Sequence, residues 1–263
     1  MHRSPRQSPW ILTAPLLIAA CASGGEPAAQ PAEAPAQAPA QRSAGNEVAV
    51  QHRQSERELE LHMRANFLVA VDARDAVIDG DLVRAIEALN WIAEQNFDGL
   101  LPDRWKPYSA RLQQTARAGA QAQTLQDAAQ RVAAVAQRCG ECHQNFKTGE
   151  DRGAEEAQGF APVGPEHVET RMVRHQWAAD ELWHGLVIPS DKTWGGGARI
   201  LVDAPPNPPQ HPDGTVDPQL KAEIADLRRL GERAAGASDV GRRVEVYGDL
   251  LGRCAGCHVR LPK

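Results

Sequence analysis

The sequence carries no excess of positive charge. Its 29 Lys and Arg are outnumbered by 34 Asp and Glu, a formal net charge of −5. A nucleic-acid binder needs a basic surface to neutralise phosphates, and this balance excludes one. No Gly-rich phosphate loop and no nucleophile elbow occurs, so the chain lacks the usual marks of nucleotide and serine-hydrolase chemistry. Cysteine is scarce, with five in 263 residues, and methionine scarcer, with three. Four of the cysteines fall into one repeated pattern, which leaves no spare pair for a disulfide.

That pattern is Cys139-Gly140-Glu141-Cys142-His143 and Cys254-Ala255-Gly256-Cys257-His258. Both read C-x-x-C-H, the attachment signature of a c-type haem. The two thiols form thioethers to the porphyrin, and the adjacent imidazole is placed to bind the iron. Positions i, i+3 and i+4 share one helix face, so each triplet can reach the same flat group. Two haem c are therefore expected, held by Cys139, Cys142, His143 and by Cys254, Cys257, His258. Zinc is the competing reading of C-x-x-C-H. Export of the chain argues against it, as does the position of each motif at the end of an amphipathic helix.

Export is read from the N-terminus. Arg3 and Arg6 precede an apolar run from Trp10 to Ala20, about half the length that a bilayer-spanning helix needs. A basic start, a short apolar core and small exit residues make residues 1–20 a secretory signal peptide. Leu17-Ile18-Ala19-Ala20-Cys21 resembles a bacterial lipobox, which implies lipidation of Cys21 and a membrane anchor through it. Covalent haem attachment outside the cytoplasm agrees with export. The expected location is the periplasm, lipid-anchored. Ala22 follows the cysteine in place of the Asp that resembles an inner-membrane retention signal, so the outer membrane is favoured over the inner. Removing Arg3 and Arg6 takes the formal charge from −5 to −7.

Residues 21–46 are rich in Ala and Pro, with Pro27, Pro31, Pro35 and Pro39 every four residues, and read as a tether. Residues 47–147 read as four helices. The first, over about 48–78, carries the stripe Leu59, Met63, Asn66, Ala70, Ala73 and Val77. Asp81 caps the second and Thr124 the fourth. The fourth bears Leu125, Ala128, Val132, Val135, Cys139 and Cys142, so the haem cysteines continue a buried seam. Residues 148–165 are an acidic linker. Residues 166–263 repeat the pattern, offset by 109, which sets Met172 on Met63 and His175 on Asn66. Gly195-Gly196-Gly197 interrupts the expected second helix of this half. Residues 203–218, with six prolines, read as a loop. The last helix, from about Ser238, carries Val240, Val244, Tyr247, Leu251, Cys254 and His258. The expectation is an all-α chain of two consecutive four-helix bundles, the second irregular.

A haem motif at the end of the fourth helix, followed by Phe146 and Lys147, resembles the cytochrome c-prime family of four-helix-bundle cytochromes. The likeness covers about 47–147 well and 166–263 less well, since Val259-Arg260-Leu261 departs from the aromatic–basic ending. The resemblance implies that the first helix supplies the residue opposite the histidine. Met63 and Met172, one in each first helix, are then the sixth ligands. Core filling is the bland use of both. His175, one turn beyond Met172, is the alternative at the second haem. His62 points about 100° away from Met63 around the helix and is discounted, and His184 lies roughly 18 Å along the axis from Met172. His184, His167 and His211 read as surface or interface histidines. Trp91, Trp105, Trp177, Trp183 and Trp194 read as core or interface packing.

These readings imply an electron carrier, not an enzyme: two six-coordinate haems forming a short relay between redox partner proteins. The alternative is a nitric oxide or carbon monoxide binder with one five-coordinate haem. A dihaem peroxidase, with His175 as its acid–base group, ranks last. Family members often dimerise through their first two helices, so a homodimer is implied as well.

Overall fold

The structure is a computed structural model. It describes residues 39–97, 99–149, 168–203, 215 and 218–260, with backbone alone at 39–53, 168–171 and 220. The signal peptide, Cys21, most of the tether and nearly all of the linker lie outside the described residues. So do His167, His211 and most of the proline-rich loop.

Among the described residues the chain is all-helical: α1 (Pro39–Ile78), α2 (Leu82–Ala93), α3 (Lys106–Gly119), α4 (Leu125–Phe146), α5 (Val168–Val187), α6 (Asp191–Asp203), α7 (Pro218–Ala235) and α8 (Val240–His258). A short 3-10 helix, Asp103–Trp105, leads into α3. Helix α1 begins at Pro39, inside the stretch read as tether. Proline suits a helix start, and the residues after it include several good helix formers with no further proline.

The caps follow the sequence. The Arg84 amide donates to the Asp81 carboxylate at 3.0 Å, and the Asp127 amide to the Thr124 hydroxyl at 3.1 Å. The Arg242 amide donates to Asp239 at 2.9 Å, which starts α8 two residues later than Ser238. The triple glycine is a correction, because α6 runs through it unbroken. Glycine weakens a helix by about 1 kcal/mol per residue, but here packing overrides propensity. A Cβ on Gly197 would sit 2.7 Å from the Ala178 carbonyl of α5. Gly185 answers from α5, where a Cβ would meet Trp194 at 3.0 Å. The two backbones approach where side chains are missing.

The described residues from Ala49 onward form one compact unit. Within it α2 packs on α3 and α3 on α4, while α5, α6, α7 and α8 pack in succession and α8 returns to α5. Helix α4 also packs along α8 and against α5, so one hydrophobic core takes residues from both halves of the chain. Val132, Val135, Leu182, Trp183, Tyr247 and Leu251 belong to it. Trp183 and Trp194 are buried as expected, and the Trp194 indole donates to the Ala234 carbonyl at 2.8 Å. Trp91 is exposed, so it is not part of the core of this chain.

Two contacts from α1 fasten the halves. Phe67 stacks on His184 of α5, with centroids 5.8 Å apart. Arg74 is buried, pairs with Asp75 and with Asp180 of α5 at 2.7 Å each, and lies 5.7 Å from the Trp183 ring. His184 is thus an interface residue, as read from the sequence.

Candidate functional sites at the ends of α4 and α8

Each C-x-x-C-H motif closes its helix. Cys139, Cys142 and His143 share one face of α4, and Cys254, Cys257 and His258 share one face of α8. All four thiols are free, so neither motif is closed by its own disulfide. Burial pushes the Cys139 thiol up to about 12, and the nearby Cys142 adds to the shift. Burial does the same to Cys254, also to about 12, with Cys257 beside it. Such thiols stay protonated at neutral pH and are poor spontaneous nucleophiles.

His143 has a defined tautomer. Its Nδ1 lies 2.8 Å from the Val187 carbonyl, which can only accept. Nδ1 therefore carries the proton and Nε2 keeps its lone pair. Burial lowers the pKa of His143, against the opposing pull of that hydrogen bond. The ring is held neutral, the state in which an imidazole ligates a metal.

An aromatic group closes the first site. Phe146, one turn past His143, stacks on Trp105 at 5.0 Å and meets Tyr108 edge-on at 5.1 Å. Arg104 lies 5.5 Å from the Phe146 ring, and Arg111 lies 4.3 Å from the Tyr108 ring. The positive charge of Arg111 reaches Cys142 and opposes the upward shift that burial imposes on its thiol. The Trp105 indole nitrogen is buried without a partner. At the second site Glu223 of α7 is buried and paired with Arg260, close to Gly256. One of its carboxylate oxygens is buried and unpartnered. Burial raises the Cys257 thiol, and Glu223 adds to that rise.

Met63 and Met172 lie on α1 and α5, the helices expected to carry the sixth ligands. Met63 is half-buried on α1, one turn before buried Asn66. On α5 Met172 is 38% exposed and His175 only 8%, matching Asn66 at 8% under the 109-residue offset. The Asn66 amide donates to the His62 carbonyl at 2.8 Å, while its own side-chain oxygen is buried and unpartnered. His62, discounted from the sequence, has a buried Nε2 without a partner and packs edge-on against Phe97 at 4.8 Å.

The two motifs are far apart. Helices α4 and α8 run antiparallel: Gln126 faces Gly252, while Gln130 faces Gly248 and donates to Asp249 at 2.8 Å. In that register Cys139 and Cys254 are about 22 Å apart along the axis, and His143 and His258 about 35 Å. The motifs lie at opposite ends, a longer separation than the short relay expected from the sequence.

The residues present suit a haem at each end. Two thiols and an imidazole share a face, the hydrogen bond at Nδ1 leaves the Nε2 lone pair of His143 uncommitted, and unsatisfied buried polar atoms flank both motifs. Among the described residues no three His, Cys, Asp or Glu side chains gather into an ion site. No helix among them is long and apolar enough to cross a membrane.

Sequence reasoning missed four participants. Val187 acts through its backbone, which leaves no side-chain signal. Arg74 was visible only as a charge inside the buried stretch from Ala73 to Val77. Trp105 and Tyr108 were separated from Phe146 by most of two helices. No family model, no characterised protein and no solved structure matches the chain.

Proposed function

We propose that this chain is an exported dihaem c-type cytochrome that carries electrons, built as two four-helix bundles resembling cytochrome c-prime, over 47–147 and 166–263. The observation that carries the reading is the pair of helix-terminal C-x-x-C-H triplets with free thiols, one of them with its imidazole fixed as an Nδ1–H tautomer. A haem bound there would supply an iron that changes by one electron between ferrous and ferric states. The chain's own residues do the rest. The cysteines would hold the group covalently and His143 and His258 would bind its iron, with Met63 and Met172 as the proposed sixth ligands and His175 the alternative to Met172. Core side chains exclude water between the sites.

The separation of the motifs shapes the function. Electron tunnelling falls off exponentially with distance, so each haem exchanges more readily with a partner docked at its own end than with the other haem. Partners are redox proteins, and a lipid on Cys21 holds the chain to a periplasmic membrane, the outer one favoured. A homodimer through α1 and α2 belongs to this reading, and Leu61, Leu68, Val83 and Trp91 are exposed on those helices.

Absorption spectra of the exported protein, oxidised and reduced, with and without carbon monoxide, test the assignment. Two low-spin haems indifferent to carbon monoxide are expected. Met63→Ala and Met172→Ala should each turn one haem high-spin. A Met172→Ala protein with both haems low-spin would transfer the ligand role to His175. A carbon monoxide-binding haem in the unaltered protein would favour the gas-binding reading, and absence of covalent haem would sink both.

A further inference from the structure

We infer that the last turn of α5, in the second half of the chain, is the outer support of His143, so that the first haem site is incomplete without the second half. The inference rests on the haem reading above and goes beyond it, because it assigns a positioning role to a segment that bears no ligand.

The geometry is specific. The last carbonyls of a helix have no intrahelical partner. In α5 the Ile188 amide satisfies the His184 carbonyl at 2.8 Å and the Ser190 amide reaches the Gly185 carbonyl at 3.4 Å. The Val187 carbonyl is taken by the His143 ring at 2.8 Å. Gly140, the second residue of the motif, makes the approach possible. A Cβ there would overlap the Leu186 carbonyl and lie 3.1 Å from the Pro189 ring. Gly149 closes the other side, since a Cβ on it would lie 3.4 Å from both the His143 Nδ1 and the Ile188 side chain. The ring is therefore wedged between α4's own continuation and the end of α5, and water has little access to Nδ1.

Two effects act in the same direction. A histidine that donates its second nitrogen's proton becomes a more basic ligand through the first. The C-terminus of α5 carries partial negative charge and directs it at the same ring. Both stabilise the oxidised iron, so the end of α5 holds the potential of the first haem down. The α5 helix also bears Met172 and His175, about 18–22 Å away at its other end. One rigid element therefore touches the ligand sets of both haems.

The test uses the full-length exported protein. Covalent haem is counted first by a haemochromogen assay, and fewer than two per chain refutes the underlying reading, not this inference. The substitution is Gly140→Ala, whose methyl displaces the Leu186 and Val187 carbonyls. One midpoint potential should rise while the other stays. One imidazole N–H, slow to exchange in NMR of the reduced unaltered protein, should exchange about tenfold faster, the worth of one hydrogen bond. Gly248→Ala is the comparison, because it disturbs the α4–α8 contact at the Gln130 side chain and touches neither His143 nor α5. Equal shifts in both variants would mean a general packing effect and overturn the inference. If Gly140→Ala fails to fold, the unaltered protein still decides: rapid exchange of every imidazole N–H would overturn it, and one protected N–H supports it.

Discussion

Replacing Arg74 with methionine tests whether the two halves are held as one unit. The Arg74 side chain is 5% exposed and pairs at 2.7 Å with Asp75 and with Asp180 across the boundary between halves. Burial opposes its charge, but Tyr247, Asp180 and Asp75 outweigh that and raise its pKa. Removing one partner of a buried pair costs about 3–5 kcal/mol. Here the Asp75 and Asp180 side chains are 39% and 36% exposed, so water screens the carboxylates left behind. Methionine also retains much of the packing against Trp183. The expected loss is about 2–3 kcal/mol, discounted for that screening. In a unit of this size it lowers the unfolding midpoint by about 5–10 °C. Arg84→Met is the internal standard. Its pairs with Asp72 and Asp79, at 2.7 and 3.0 Å, are solvent-exposed and worth less than about 1 kcal/mol. The assay is thermal unfolding followed by circular dichroism and tryptophan fluorescence. A double-mutant cycle with Asp180→Asn should show a coupling of about 1–2 kcal/mol. Equal losses for Arg74→Met and Arg84→Met, or two separate transitions in the unaltered protein, would refute the argument.

Other outcomes follow from single contacts. Gly197→Ala should destabilise by about 1–3 kcal/mol in urea unfolding, because its Cβ meets the Ala178 backbone, which cannot turn away. Gly195→Ala, two residues earlier on the same helix, meets nothing within 4 Å and should instead stabilise by up to about 1 kcal/mol. Equal effects would show that α6 does not approach α5 as described. The Tyr247 hydroxyl donates to the Ala179 carbonyl at 3.1 Å, and burial raises its pKa well above the ordinary phenol range, with Arg74 opposing. The sign is that of an acid kept neutral by folding. Its contribution is complete below about pH 10, where the unfolded chain binds the same proton, and is lost above it. Of the two tyrosines, Tyr247 should therefore give phenolate absorbance only as the protein unfolds, and reversible ionisation of both in the native state would contradict the burial.

Much of the framework could be read from periodicity. The stripes of α4 and α8 end in their cysteines, and Asp81 and Thr124 cap the helices they were assigned. These are local signals, carried within a few residues. The misreadings are long-range. Gly195-Gly196-Gly197 looked like a break because propensity is local, whereas the reason for Gly197 lies in the facing Ala178 carbonyl. Arg74 carries no local sign of its partners, because Asp180 and Trp183 lie far along the chain. The candidate sites divide along the same line. The C-x-x-C-H triplets are fixed by spacing alone. The partner of His143 is a carbonyl 44 residues away, and no residue type advertises a carbonyl.

The antiparallel run of α4 along α8 has a consequence for traffic. It gives the molecule two poles, each ending in one C-x-x-C-H triplet, with the core between them. On the proposed reading a donor and an acceptor engage different faces and do not compete for one docking area. On that reading the chain would be occupied at both poles at once, and an excess of one partner would not block the other. A carrier with a single haem must release one protein before meeting the next. Under the proposed function this arrangement would remove that wait, and slow transfer through the middle would become the step that sets the throughput.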